Sequence, residues 1–244
     1  MSKLGVHDVS VRYGKIPALS DVSFTVAEGE RLFISGPNGA GKSSLLKAIC
    51  GAAPTTNGRI EVDGDVLNGR SPEAIARLGL TMVPEGREIF GTLTVEENLR
   101  VGTGIRRDKA AIETDIDGVY DSFPILGERR HANAGALSGG QQQMLAIGRG
   151  LMTNPKLMLV DEPSLGLAPN IVDQVYETLV NLQNERGLTL IIVEQSSARA
   201  ARVGGRMVLL RGGNIVGDGD GAKFAQSDLL KEAYFGQDQS EDAT

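Results

Sequence analysis

The chain is predicted to be an α/β protein, with a mainly parallel sheet between helices, an antiparallel β region at its N-terminal end and a helical insertion. Three observations predict this. Apolar runs at 32–34, 157–160, 188–193 and 207–210 are short and uninterrupted, as buried parallel strands are. Residues 170–186 read as a helix with Ile171, Val175, Leu179 and Leu182 on one face. Near the N-terminus, Val9, Val11 and Tyr13, then Val22, Phe24 and Val26, alternate with other residues as half-buried strands do, with Gly14 and Pro17 breaking the chain between them.

Each element follows in order. The run at 32–34 leads into the glycine-rich segment 36–41, and residues 43–49 read as a helix, giving strand, glycine loop, helix. From about 86 to 151 β-branched runs are few and helix starts several. Thr94 with Glu97, and Ser138 with Gln141, have the spacing at which two side chains satisfy the orphan N–H groups of a first turn. Strands and one long helix then resume. The expected divisions are an α/β core in two parts, 1–86 and 152–236, a helical subdomain at 87–151, and an acidic tail at 237–244 expected to be disordered.

Composition excludes several function classes. With 25 basic and 31 acidic side chains the net charge is −6, opposite to that of a chain whose main task is holding nucleic acid. One cysteine, Cys50, allows no internal disulfide, and in the helix after the glycine loop it is expected to be a small buried hydrophobe. Neither a signal-peptide core nor a run near the roughly 20 apolar residues of a membrane span is present, so a cytoplasmic location is expected, with any membrane role through a partner.

Three motifs carry chemistry. Gly36, Pro37, Asn38, Gly39, Ala40, Gly41, Lys42 and Ser43, followed by Ser44, match the phosphate-loop pattern without a gap. Its glycines let successive N–H groups face a phosphate at the positive end of the following helix, Lys42 can reach the β- and γ-phosphates of ATP, and the Ser43 hydroxyl suits Mg2+. At 157–162 a buried strand ends in two carboxylates, Asp161 for the Mg2+ shell and Glu162 to orient and polarise the attacking water. At 137–141, Ser138 at a helix N-cap with Gly139, Gly140 and Gln141 makes a second small anion site of hydroxyl and N–H donors.

With all three motifs in this order, the chain resembles the ABC ATPases over essentially its whole length. The resemblance implies a P-loop NTPase (RecA-like) core, ATP hydrolysis with Mg2+, and a pair of ATPase subunits in which the 137–141 signature closes on the γ-phosphate held by the other. Tyr13 fits the family's adenine-stacking aromatic. More narrowly, the stretches 83–87, 142–149, 161–169 and 193–195 look like the ATP-binding subunits of branched-chain amino-acid importers. That branch implies a second ATPase subunit of the same or a related chain, transmembrane permease subunits, indirectly a solute-binding protein, and a peripheral place on the inner face of the cell membrane.

Three positions depart from the wider family. Glu85 stands where a glutamine usually senses Mg2+ and the membrane partner, Ala168 where an aspartate usually ends the loop after the catalytic glutamate, and Gln195 where a histidine usually contacts the γ-phosphate. Gln195 is expected to make that contact as a neutral amide; the competing reading is that it caps the helix that follows. Rival functions are an importer ATPase for urea, short amides or other amino acids, and a soluble ABC ATPase outside transport. The latter would be expected to carry a long coiled coil or tandem cassettes, and neither is in the sequence. The Arg-rich end at 128–130 reads as a solvated helix end.

Overall fold

The computed structural model describes residues 2–225, so the tail expected at 237–244 lies outside the described residues. The chain forms two compact units, one of residues up to Arg70 and from Ile191 onward, the other Ser71–Leu190. The first unit begins with β1 (Ser2–Tyr13), β2 (Ile16–Ala27), β3 (Arg31–Ser35), α1 (Lys42–Ile49), β4 (Asn57–Val62) and β5 (Asp65–Val66). The second holds α2 (Pro72–Ala76), β6 (Leu80–Val83), α3 (Val95–Val101), α4 (Lys109–Ser122), α5 (Pro124–Glu128), α6 (Gly139–Leu151), β7 (Leu157–Asp161) and α7 (Pro169–Arg186). Strand β8 (Thr189–Val193) crosses the division, and α8 (Ser197–Val203), β9 (Arg206–Arg211), β10 (Asn214–Asp220) and α9 (Gly221–Ala225) follow in the first unit.

In the first unit the antiparallel sheet has the order β2-β1-β4-β5. Its register sets Leu4 against Val26, Val6 against Phe24 and Val9 against Val22, and all six side chains are buried. Val9 is three positions after Val6, which strict alternation would put on the opposite face. The register shifts there, Asp8 takes a left-handed φ of 49°, and its N–H donates to the Ser23 hydroxyl at 2.7 Å, so a bulge restores both valines to the core. A second sheet segment places β3 between β9 and β8. Strand β3 runs parallel to β9, with Phe33 opposite Met207, and β10 turns back antiparallel along β9. Helix α1 buries Leu45, Leu46 and Ile49.

In the second unit β6 runs parallel to β7, from Leu80 opposite Leu157 to Val83 opposite Val160, and every residue of β7 is buried. Helix α6 buries Met144, Leu145, Ile147 and Leu151, and α7 buries Val172, Val175, Tyr176, Leu179 and Leu182. Both capping boxes form, Thr94 with Glu97 on α3 and Ser138 with Gln141 on α6. Arg129 and Arg130, after α5, are exposed as expected.

The α/β class is therefore as the sequence predicts. Cys50 is a correction: it is the C-cap of α1, of intermediate exposure, its thiol donating to the Lys47 carbonyl at 3.5 Å. A cap residue at the helix end is covered on one side only, and that partial burial still pushes the thiol pKa up. Among the described residues no helix is long and apolar enough to cross a membrane.

Candidate active site

The phosphate loop lies in the first unit. Strand β3 ends at Ser35, and at Gly36 the chain turns with a φ of 150°. A Cβ there would stand 2.1 Å from the Leu210 carbonyl oxygen, so only glycine lets the loop leave the strand at this point. The Ala40 N–H closes the loop on the Pro37 carbonyl at 3.1 Å. Gly41 occupies the N-cap of α1 and brings no side chain to the first-turn N–H groups, the end of a helix at which anions bind. Lys42 is 6% exposed, and its ammonium donates to the Gly36 and Pro37 carbonyls at 2.8 and 3.2 Å. A cation is thus held against the loop's own carbonyls, beside partly exposed Ser43 and Ser44.

Gln195 reaches the same loop. Its Nε2 donates to Asn38 Oδ1 at 3.0 Å, while the cap of α8 is Ser196, whose hydroxyl accepts the Arg199 N–H at 3.4 Å. The capping role is therefore not Gln195's. Tyr13 ends β1 opposite Ile16, and the two are 48% and 71% exposed. The alternation that buries Val9 and Val11 stops before Tyr13, leaving an aromatic face open beside an open aliphatic one.

The second unit carries the acidic and signature residues. Asp161, at the end of β7, is 2% exposed. Glu162 follows in a left-handed conformation with φ 45°, which costs a residue with a Cβ about 1–2 kcal/mol. Strain of this kind collects where a side chain must be aimed rather than merely packed. The turn is completed by the Leu165 N–H on the Glu162 carbonyl at 3.1 Å. Ala168 then starts α7 with no side chain to cap it, and Pro169, lacking an N–H, removes one of the orphan donors.

At the signature, the Ser138 N–H donates to Gln141 Oε1 at 2.9 Å and the Gln141 N–H to Ser138 Oγ at 3.4 Å. Gly140 is there for packing: a Cβ would meet Ile171 Cγ2 of α7 at 2.4 Å. The guanidinium of Arg87 lies against Gly139 and donates to Gln142 Oε1 at 3.3 Å. The segment after exposed Glu85 passes through three successive left-handed residues, Gly86, Arg87 and Glu88. Two side chains hold it. Arg149 of α6 donates to the Glu88 and Arg87 carbonyls at 2.8 and 3.4 Å and stacks over Phe90 at 5.3 Å. Asn98 of α3, fully buried, takes the Phe90 N–H at 2.9 Å and returns its amide to the Phe90 and Thr94 carbonyls at 3.0 and 2.9 Å. Sequence reasoning missed Asn98 and Arg149. An asparagine inside a helix is a signal, since that residue favours caps and turns; Arg149 offers none.

Within the first unit the structure thus brings Gln195 to the phosphate loop, and within the second it ties the Glu85 segment to the signature helix. A glycine loop between strand and helix, with a buried strand ending in Asp-Glu, defines a P-loop nucleotide hydrolase. The family model for the ABC transporter matches residues 19–165. BraG, a high-affinity branched-chain amino acid transport ATP-binding protein of Pseudomonas aeruginosa, is 46% identical over 233 residues, 96% of this chain and 99% of its own. Among solved structures, the ADP conformation of the ABC cassette MJ1267 aligns with a TM-score of 0.79 at 26% identity, over 94% of this chain and 95% of that one. The dimeric cassette MJ0796 aligns at 0.80 and 25%, over 89% and 98%. The chain belongs to the ABC transporter ATP-binding family and is an ATPase.

Proposed function

We propose that this chain is the ATP-hydrolysing subunit of an importer for branched-chain amino acids, working as one of a pair and bound through permease subunits to the inner face of the cell membrane. The single observation that carries the solute is the similarity to BraG across nearly the whole chain. Pairing is supported by the signature, since one nucleotide needs only one phosphate loop. Differential affinity of ATP for the closed pair is the physical source of motion in the permease.

The proposed roles follow the chemistry of each side chain. The 36–44 loop holds the phosphates and Tyr13 stacks on adenine. Glu162 accepts a proton from the attacking water, and Gln195 donates its amide to the γ-phosphate after leaving Asn38. Ser138 offers its hydroxyl and Gly139 and Gly140 their N–H groups to the γ-phosphate on the paired subunit, while Gln141 holds the capping box with Ser138. Ser43, Asp161 and Glu85 offer hard oxygen donors, the set that suits Mg2+. When bound, that ion neutralises phosphate charge and draws electrons from the bond being broken. The divisions proposed for the chain remain a core at 1–86 and 152–236 around a helical subdomain at 87–151.

Replacing Glu162 with Gln should keep ATP binding and nearly abolish turnover, because the amide cannot accept the water's proton. Size exclusion with Mg-ATP should then double the apparent mass. Wild-type turnover in that variant would remove Glu162 from its role. For the solute, the chain reconstituted in vesicles with the permease and ATPase genes beside its own should drive leucine uptake; uptake of urea or glutamate instead would overturn the branched-chain reading.

A further inference from the structure

The turn between β8 and α8 contains a carboxylate that none of the proposed roles uses. Glu194 is 2% exposed. Its Oε1 accepts the Ser196 N–H at 3.0 Å and the Arg199 guanidinium at 3.1 Å. Its backbone is fixed from the other side by β3: the Glu194 N–H donates to the Ile34 carbonyl at 3.1 Å, and the fully buried Ser35 hydroxyl donates to the Glu194 carbonyl at 3.0 Å. Ser35 is the residue immediately before the phosphate loop. Gln195 therefore sits between a residue pinned on both backbone groups and a residue whose N–H is pinned by the Glu194 carboxylate. From there its amide meets Asn38.

Stability gives little reason for such an arrangement, because the Arg199 side chain is 27% exposed and an ion pair open to water on one side contributes little. Position gives one. A glutamine amide hangs on three rotatable bonds, so which atoms its rotamers can reach is set by where the backbone places and directs its Cα–Cβ bond. We propose that Glu194, with Arg199, is a positioning residue that acts through Gln195. The carboxylate sets the backbone of the 194–196 turn, and the turn aims the Gln195 amide at the phosphate loop. This inference rests on the proposed role of Gln195 at the γ-phosphate.

The test uses the full chain with Mg-ATP and reads kcat and KM separately. Glu194→Ala should lower kcat about ten-fold with the ATP KM changed less than about two-fold, since a misaimed group costs rate more than binding. Adding Gln195→Ala to it should slow turnover no further than Gln195→Ala alone, the signature of two residues acting through one contact. Parental kcat in Glu194→Ala, or a double variant slowed by the product of the two single losses, overturns the positioning role. Gln195→Ala with parental turnover overturns instead the reading of Gln195 and removes the premise. Should Glu194→Ala not fold, Glu194→Gln still accepts the Ser196 N–H but loses the attraction of Arg199. The Gln195 side-chain amide signal, assigned by its loss in Gln195→Ala, should then shift and kcat should fall a few-fold; an unmoved signal with parental kcat overturns the proposal.

Discussion

At the start of α3 the Thr94 hydroxyl accepts the Glu97 N–H at 3.2 Å, and the Glu97 carboxylate takes the Thr94 N–H and hydroxyl at 2.7 and 2.8 Å. At the start of α6, Ser138 and Gln141 make the same reciprocal pair with an amide in place of the carboxylate. The first turn of α3 carries Glu96 and Glu97, and that of α6 carries no acid. Both helices are capped, yet only α3 has its positive end neutralised. For a helix that only needs to start, a carboxylate at the third position is the better choice, because it adds charge complementarity to the hydrogen bond. A neutral cap gives up that gain and leaves the field at the N-terminus of α6 for an external anion, as the proposed γ-phosphate contact requires.

The sharpest way to break this comparison is to make the two caps alike. Gln141→Glu should keep the box and stabilise α6 by about 0.3–1 kcal/mol. It should nevertheless lower hydrolysis about ten-fold, the equivalent of about 1.4 kcal/mol, through repulsion of phosphate. Thermal unfolding and steady-state turnover would therefore move in opposite directions. A variant as active as the parent would leave the neutral cap without a functional reason.

A smaller effect is expected from the other cap. Thr94→Ala should cost about 1 kcal/mol of stability, the usual loss for an N-cap, seen in urea unfolding. Turnover per folded molecule should stay at the parental value. A large fall in kcat would mean that α3 does more than position Asn98.

The smallest effect is a difference in acid. The Thr94 N–H, and after it the Thr94 hydroxyl, hold the Glu97 carboxyl below the usual carboxylate range. A group whose pKa is depressed by folding stabilises the fold above its unfolded pKa, and that contribution fades as pH falls through the folded value. Amide-exchange protection at Glu97 should therefore drop over that acid window while protection at Gln141, whose cap does not titrate, holds. Equal loss at both would show general acid unfolding instead.

Much of this was legible in the residues because the signals are local. A capping box needs two side chains three apart, and a phosphate loop needs its glycines at fixed steps. Strands such as β7, with every residue buried, announce themselves by composition. Strand β4 did not, because only Ile60 and Val62 of its six residues are buried, nor did β10, whose glycines alternate with acids and carry no apolar face. Tyr13 was read as part of an alternating strand, but its exposure depends on where the β1–β2 hairpin ends and the core stops.

By itself, then, the sequence determined the fold class, the phosphate loop, both helix caps and the strand that ends in Asp161 and Glu162, since each depends on neighbours within a few positions along the chain. Only the tertiary structure decided that Glu162 is left-handed, that Arg149 and Asn98 grip the segment after Glu85, and that Gln195 meets Asn38 across 157 residues of chain. Those contacts join residues whose separation follows no period. For fully buried Asn98, what selects them is the cost of leaving a buried donor or acceptor unpaired once packing has removed the water; the exposed Gln195–Asn38 pair follows instead from the turn after β8 meeting the loop after β3.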